Sequence, residues 1–152
     1  MFFDLNNLKI VNDTIGHKYG DALIINFAHI LRKLAPSNMF LGRIGGDEFI
    51  GILENTTKDE VQTFIEQLMS EAVLTNCHTN HNHIHIDFSF GYAFSSDYPT
   101  CTYKDLLDIA DKKCTNKNIK KNHSDKLIFG LKNSNVQYGS CYFLRNLSKY
   151  EF

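Results

Sequence analysis

The chain has 152 residues, 43% of them hydrophobic and 22% charged, with a formal net charge of -1. That size and mixture suit one globular domain with its own core, and the near-neutral balance excludes a chain drawn as a whole to nucleic acid or to anionic membranes. No apolar run reaches the ~18 residues that a membrane-spanning helix needs, and no signal peptide is visible.

In chain order, Phe2–Leu5 reads as the end of a strand. An opening of Met1-Phe2-Phe3 suggests a fragment of a longer protein. Asn6 can cap a short helix with Leu8, Val11 and Ile15 at helical spacing, stopping near Gly16. Gly20-Asp21 then opens a second helix whose apolar face is Leu23, Ile24, Phe27, Ile30, Leu31 and Leu34, ended by Pro36. Met39–Ile44 and Phe49–Leu53 are two apolar segments joined by Gly45-Gly46-Asp47-Glu48, the pattern of a β-hairpin. Thr57-Lys58-Asp59-Glu60 is a capping box announcing a helix with Val61, Phe64, Ile65, Leu68 and Ala72 inward. Residues 77–82 read as a polar loop. From His83 to Ala93 the alternation is strict and predicts a half-buried strand. Thr102 caps a last helix bearing Leu106, Leu107, Ala110 and Cys114, and Lys126–Phe129 is a final short strand. The order β-α-α-β-β-α-β-α-β belongs to the α+β class. Past residue 130 the chain shows no clear period.

The four cysteines, Cys77, Cys101, Cys114 and Cys141, form no C-x-x-C pair and read as reduced thiols. The segment Cys77–His85 is dense in His and would suit zinc or nickel, with His83 and His85 on one strand face. Its spacing matches no regular zinc motif, and polar histidines on a loop account for it. No basic patch interleaved with aromatics points to nucleic acid.

Three stretches carry chemistry. In R-I-G-G-D-E-F, Arg43–Phe49, the glycines Gly45 and Gly46 allow backbone angles closed to other residues and leave room for a ligand. The adjacent carboxylates Asp47 and Glu48 suit Mg²⁺, which takes one or two carboxylates and completes its shell with phosphate oxygens and water. A solvated Gly-Asp turn explains the same four residues. In F-F-D-L-N-N-L-K, Asp4 follows a strand and precedes a helix start, where free amides of Asn6, Asn7 and Leu8 can meet a triphosphate. Lys9 is a phosphate contact or an exposed helix lysine. In N-D-T-I-G-H-K-Y-G-D, Asn12 and Asp21 either cap the two helices or read a guanine edge, since a carboxylate accepts from N1–H and the N2 amine.

Taken together, these stretches with S-F-G-Y-A and Ala110-Asp111 resemble the GGDEF domain of diguanylate cyclases, in order and spacing, from Phe2 to Phe129. The resemblance implies a nucleotidyl-cyclase-like fold with a ferredoxin-like core: a mainly antiparallel central sheet flanked by helices. It assigns residues 1–130 to the domain, with a truncated first strand and the usual preceding helix absent, and leaves 131–152 as a tail without a role. It implies condensation of two GTP into cyclic di-GMP and pyrophosphate across an antiparallel pair of domains, with Mg²⁺ or Mn²⁺. Asp4, the Leu5 carbonyl and Asp47 would be metal ligands, and Glu48 a further ligand or the group that deprotonates the hydroxyl. Asn12 and Asp21 would read guanine. Asn6, Asn7, Leu8 and Lys9 would hold phosphate, as would Lys117 and Lys121 if the last helix end is shifted. Strict alignment puts Asn118 and Asn122 where the family has its phosphate-binding Lys and Arg, and Lys117 and Lys121 otherwise form a solvated basic face. Pro36-Ser37-Asn38-Met39 replaces the family's product-inhibition R-x-x-D. The implied location is cytoplasmic, with any membrane attachment upstream. The alternative is an inactive GGDEF domain that binds GTP as a regulatory or dimerisation module.

Overall fold

The computed structural model describes residues 1–78 and 85–115. It contains β1 (Phe2–Leu5), α1 (Leu8–Ile15), α2 (His17–Leu34), β2 (Met39–Arg43), β3 (Glu48–Leu53), α3 (Lys58–His78), β4 (Phe88–Gly91), a short 3-10 turn at Ser95–Asp97 and α4 (Tyr103–Thr115). The expected final strand at 126–129, the tail, Lys117, Lys121 and His83 lie outside the described residues.

The four strands form one sheet in the order β2-β3-β1-β4 with every pairing antiparallel. This is the strand order of a ferredoxin-like core, with the first strand inserted between the third and fourth. Phe3, Leu5, Phe49 and Phe90 point from the sheet into a core completed by Leu8 and Val11 of α1, Leu23, Phe27 and Leu31 of α2, and Phe64, Ile65 and Leu68 of α3. Phe27 is its hub, edge-on to Phe49 at a centroid distance of 5.2 Å and to Phe3 at 6.4 Å. Such aromatic contacts are worth about 0.5–1.5 kcal/mol each beyond their buried area. On the opposite face α4 sets Ala110 and Cys114 against Phe2.

Several local expectations are corrected. Asn7, in the left-handed region at φ 65, holds the cap position of α1, and its side chain makes no capping bond. Asn6 is drawn away to β4, its amide donating to the Asp87 carbonyl at 2.9 Å. Helix α2 begins at His17, so Gly20 and Asp21 lie inside it. The run read as a loop from residue 77 begins with the end of α3, which extends to His78. Strand β4 is shorter than the alternation, starting at Phe88. It is also covered on both faces: Phe90 enters the main core, and on the other face Gly91 lies against α4 and Ser89 is only 3% exposed. Alternation reports which residues share a face, and it cannot report that a later helix covers the other one. Cys101 and Cys114 form no disulfide, as expected.

Candidate active site

Two segments far apart in sequence meet at the carboxyl end of β1. Asp4 stands directly across from Glu48 on one side and Ser89 on the other. The neighbouring row is Phe49–Phe3–Phe90, all turned into the core. Pleating therefore turns Asp4, Glu48 and Ser89 to the other face together. One residue on, the Leu5 amide donates to the Asp47 carbonyl at 2.9 Å, which ties the hairpin turn to the end of β1. Asp4, Asp47 and Glu48 are all half-buried.

The turn itself is closed by the amide of Ile44, donating to the Glu48 carbonyl at 3.0 Å. Arg43 straps it from outside, with Nε donating to the Gly45 carbonyl at 3.0 Å and a terminal guanidinium nitrogen to the Gly46 carbonyl at 2.9 Å. Neither glycine has a positive φ, so the expectation of a special backbone angle is corrected. The second reason, space, holds differently at each position. A Cβ on Gly45 would collide with the Glu48 carboxylate, while one on Gly46 would meet no atom within 4 Å. Gly45 makes room for a side chain of the site, and Gly46 leaves open surface beside it.

At the β1–α1 junction, Asn6 is half-buried and its Oδ1 accepts from the Ser89 hydroxyl at 2.9 Å. With its amide also engaged by Asp87, Asn6 is a structural clamp, and this withdraws it from the phosphate set. Leu8 sends its side chain into the core and offers only its amide, while Asn7 and Lys9 are exposed. The first amides of α1 have no acceptor within their own helix. Asn12 lies inside α1 and Asp21 inside α2, so neither serves as a helix cap. Asn12 is half-buried, and its Oδ1 lies against Gly20, where a Cβ would collide with it; Asp21 is exposed.

The donors gathered here are hard oxygens. Among the described residues no three His, Cys, Asp or Glu side chains form a ready metal cage. A carboxylate pair flanking a strand end fits a hard divalent cation that completes its shell with oxygens from outside the protein, and does not fit a closed all-protein site. A cavity of about 590 Å³ lies elsewhere, beside Met1, Ile52, Tyr92 and Leu106 at the opposite end of β1. Sequence reading passed over Arg43, Ser89 and Gly20. A small polar residue inside an apolar alternating run, and a glycine inside a helical period, were the available signals.

The family model for the diguanylate cyclase GGDEF domain matches residues 1–125. The signaling protein YkoW of Bacillus subtilis is 40% identical over 72 residues, covering 46% of this chain and 9% of that protein. A diguanylate cyclase of Vibrio cholerae is 37% identical over 65 residues, 43% of this chain and 20% of that one. The cyclic di-GMP phosphodiesterase PdeB of Shewanella oneidensis is 29% identical over 113 residues, 74% of this chain and 13% of PdeB. The chain thus spans a fifth or less of these relatives. Among solved structures, the active GGEEF domain of a diguanylate cyclase from Vibrio cholerae superposes with a TM-score of 0.62 at 26% identity, covering 74% of this chain and 70% of that one. Among the described residues no helix is long and apolar enough to cross a membrane.

Proposed function

The chain belongs to the diguanylate cyclase GGDEF domain family, and on that premise we propose that it is the catalytic domain of a protein that condenses two GTP into cyclic di-GMP and two pyrophosphates. The observation that carries this reading is the cross-strand pairing of Asp4 with Glu48, locked by the Leu5–Asp47 bond, which gathers the acidic residues of two motifs at one end of the sheet. Asp4, the Leu5 carbonyl and Asp47 would hold Mg²⁺ or Mn²⁺, with Glu48 beside them. The ion, when bound, supplies neutralisation of phosphate charge and a lowered pKa for the attacking hydroxyl.

The residues of the chain do the rest by positioning, which dominates phosphoryl chemistry. Asn12 and Asp21 orient guanine, the amides of Asn7 and Leu8 meet phosphate oxygens, and Lys9 adds a positive charge. Glu48, its carboxylate over Gly45, accepts the proton of the 3′-hydroxyl as that oxygen attacks the α-phosphorus of a second nucleotide. Pyrophosphate leaves, and a second such step closes the ring. Each domain holds one GTP, so an antiparallel pair of chains completes the reaction.

A second reading is favoured by one observation: PdeB, aligned over 74% of this chain, is named a phosphodiesterase. On that reading the domain binds GTP and regulates a neighbour. Incubation of the folded chain with GTP and Mg²⁺ separates the two. Cyclic di-GMP detected by mass spectrometry is expected, with loss of at least about a hundredfold in Asp4→Asn and Glu48→Gln. Thermal stabilisation by GTP without product would select the regulatory reading. Neither effect would remove both.

A further inference from the structure

Gly20 is buried in the first turn of α2, and its φ is not positive. Glycine is the residue a helix interior tolerates least after proline, and no unusual backbone angle calls for it here. What the position requires is space. A Cβ at Gly20 would collide with Oδ1 of Asn12, lie 2.9 Å from its Cγ and 3.2 Å from Cδ1 of Leu8. Asn12 is half-buried in the groove between α1 and α2, and among the described residues its carboxamide has no hydrogen-bond partner. Asn76 shows the contrast: both ends of its carboxamide are engaged, accepting from the Ile86 amide at 2.8 Å and donating to the Ile86 carbonyl at 2.9 Å.

We infer that Gly20 is a specificity-positioning residue: its missing side chain is the notch that seats the Asn12 carboxamide against α2, beside Asp21, with its hydrogen bonds kept for a purine base. The inference rests on the guanine-reading role proposed above for Asn12 and Asp21. It adds that the fold gives up helix propensity at position 20 to fix one side chain. The atom in the way is the far end of a flexible side chain. A methyl group at position 20 therefore turns Asn12 aside without forcing the helices apart.

Isothermal titration of the full chain in Mg²⁺ with GTP and ATP as their α,β-methylene analogues, which cannot release pyrophosphate, tests this in Gly20→Ala, Asn12→Ala and the double variant. Gly20→Ala should melt at or above the wild-type temperature yet bind GTP about tenfold more weakly, the loss of one or two neutral hydrogen bonds. Its ATP affinity should not change. In the Asn12→Ala background the same methyl should cause no further loss, the signature of two residues acting as one unit. A folded Gly20→Ala chain with wild-type GTP affinity, or losses that simply add, overturns the inference. A wild-type chain that binds GTP no better than ATP overturns the guanine reading itself, and the inference with it. If Gly20→Ala fails to fold, the double variant decides: recovery of the fold supports the notch, and failure in both backgrounds overturns it.

Discussion

Gly45 and Gly46 stand side by side in the hairpin turn but meet different surroundings, and that difference sorts their effects. A methyl at Gly45 must displace the Glu48 carboxylate, so Gly45→Ala should lower kcat with little change in KM. A methyl at Gly46 meets only open space, so Gly46→Ala should leave the unliganded protein unchanged and raise KM where nucleotide approaches. Steady-state kinetics with GTP resolves the two. Arg43 acts on the same turn through its backbone carbonyls. Arg43→Ala removes two exposed bonds, worth about 1 kcal/mol of stability, and should lower turnover more than that loss implies because the Asp47–Glu48 pair loses its brace. At the other end of β1, the Met1 amine donates to the Gly51 carbonyl at 2.7 Å, and burial lowers its pKa from 8.0 to about 6. Between those values the unfolded chain binds more protons than the folded one. Stability of a chain starting at Met1 should therefore rise from pH 6 to pH 8, by about 3 kcal/mol at most for a two-unit shift. Urea midpoints across that range check it, and N-terminal acetylation should flatten the slope.

Among the elements, the two helices with threonine caps were read from sequence with their chemistry intact. Thr57 and Glu60 exchange bonds, the Thr57 amide to Glu60 at 2.8 Å and the Glu60 amide back to the Thr57 hydroxyl at 3.2 Å. Thr102 and Asp105 repeat the arrangement at 2.8 and 3.3 Å. These bonds lower the carboxyl pKa of both acids, that of Glu60 chiefly through the Thr57 amide and that of Asp105 chiefly through the Thr102 hydroxyl. Because the folded values lie below the unfolded ones, the stabilisation is present above the ordinary carboxylate range and is lost as pH falls through the lowered values. Thr57→Ala and Thr102→Ala should each reduce Tm by roughly 2–4 °C at neutral pH, and by less in acid, as thermal melts would show. The helices without such boxes were misplaced at their starts. Asn6 has the side chain of a cap, but Ser89 and Asp87 engage it first, and those partners are more than 80 positions away in sequence. Local chemistry sets a helix end only where no distant group competes for the same donor or acceptor.

For the molecule as a whole, the seating of α4 on β4 is the tightest constraint described. A Cβ on Gly91 would collide with the Ala110 carbonyl and lie 2.5 Å from the Cys114 amide, both backbone atoms that cannot turn aside. Gly91→Ala should therefore cost about 3 kcal/mol or more, in the range of severe overpacking. Chemical denaturation would measure it, alongside Gly20→Ala as the contrasting case of a methyl that meets only a side-chain tip. Periodicity and capping patterns in the sequence determined the class of the fold, the existence and order of the elements from β1 to α4, and the inward residues of α2 and α3, because these are properties of neighbouring residues. Only the tertiary structure decided that Asp4 faces Glu48, that Asn6 is a clamp, that Ser89 is buried with its hydroxyl on Asn6, and that a Cβ at Gly20 or Gly45 would meet another side chain. Each of those facts is a contact between strands or helices brought together by folding, and a contact of that kind is written in no single stretch of the chain.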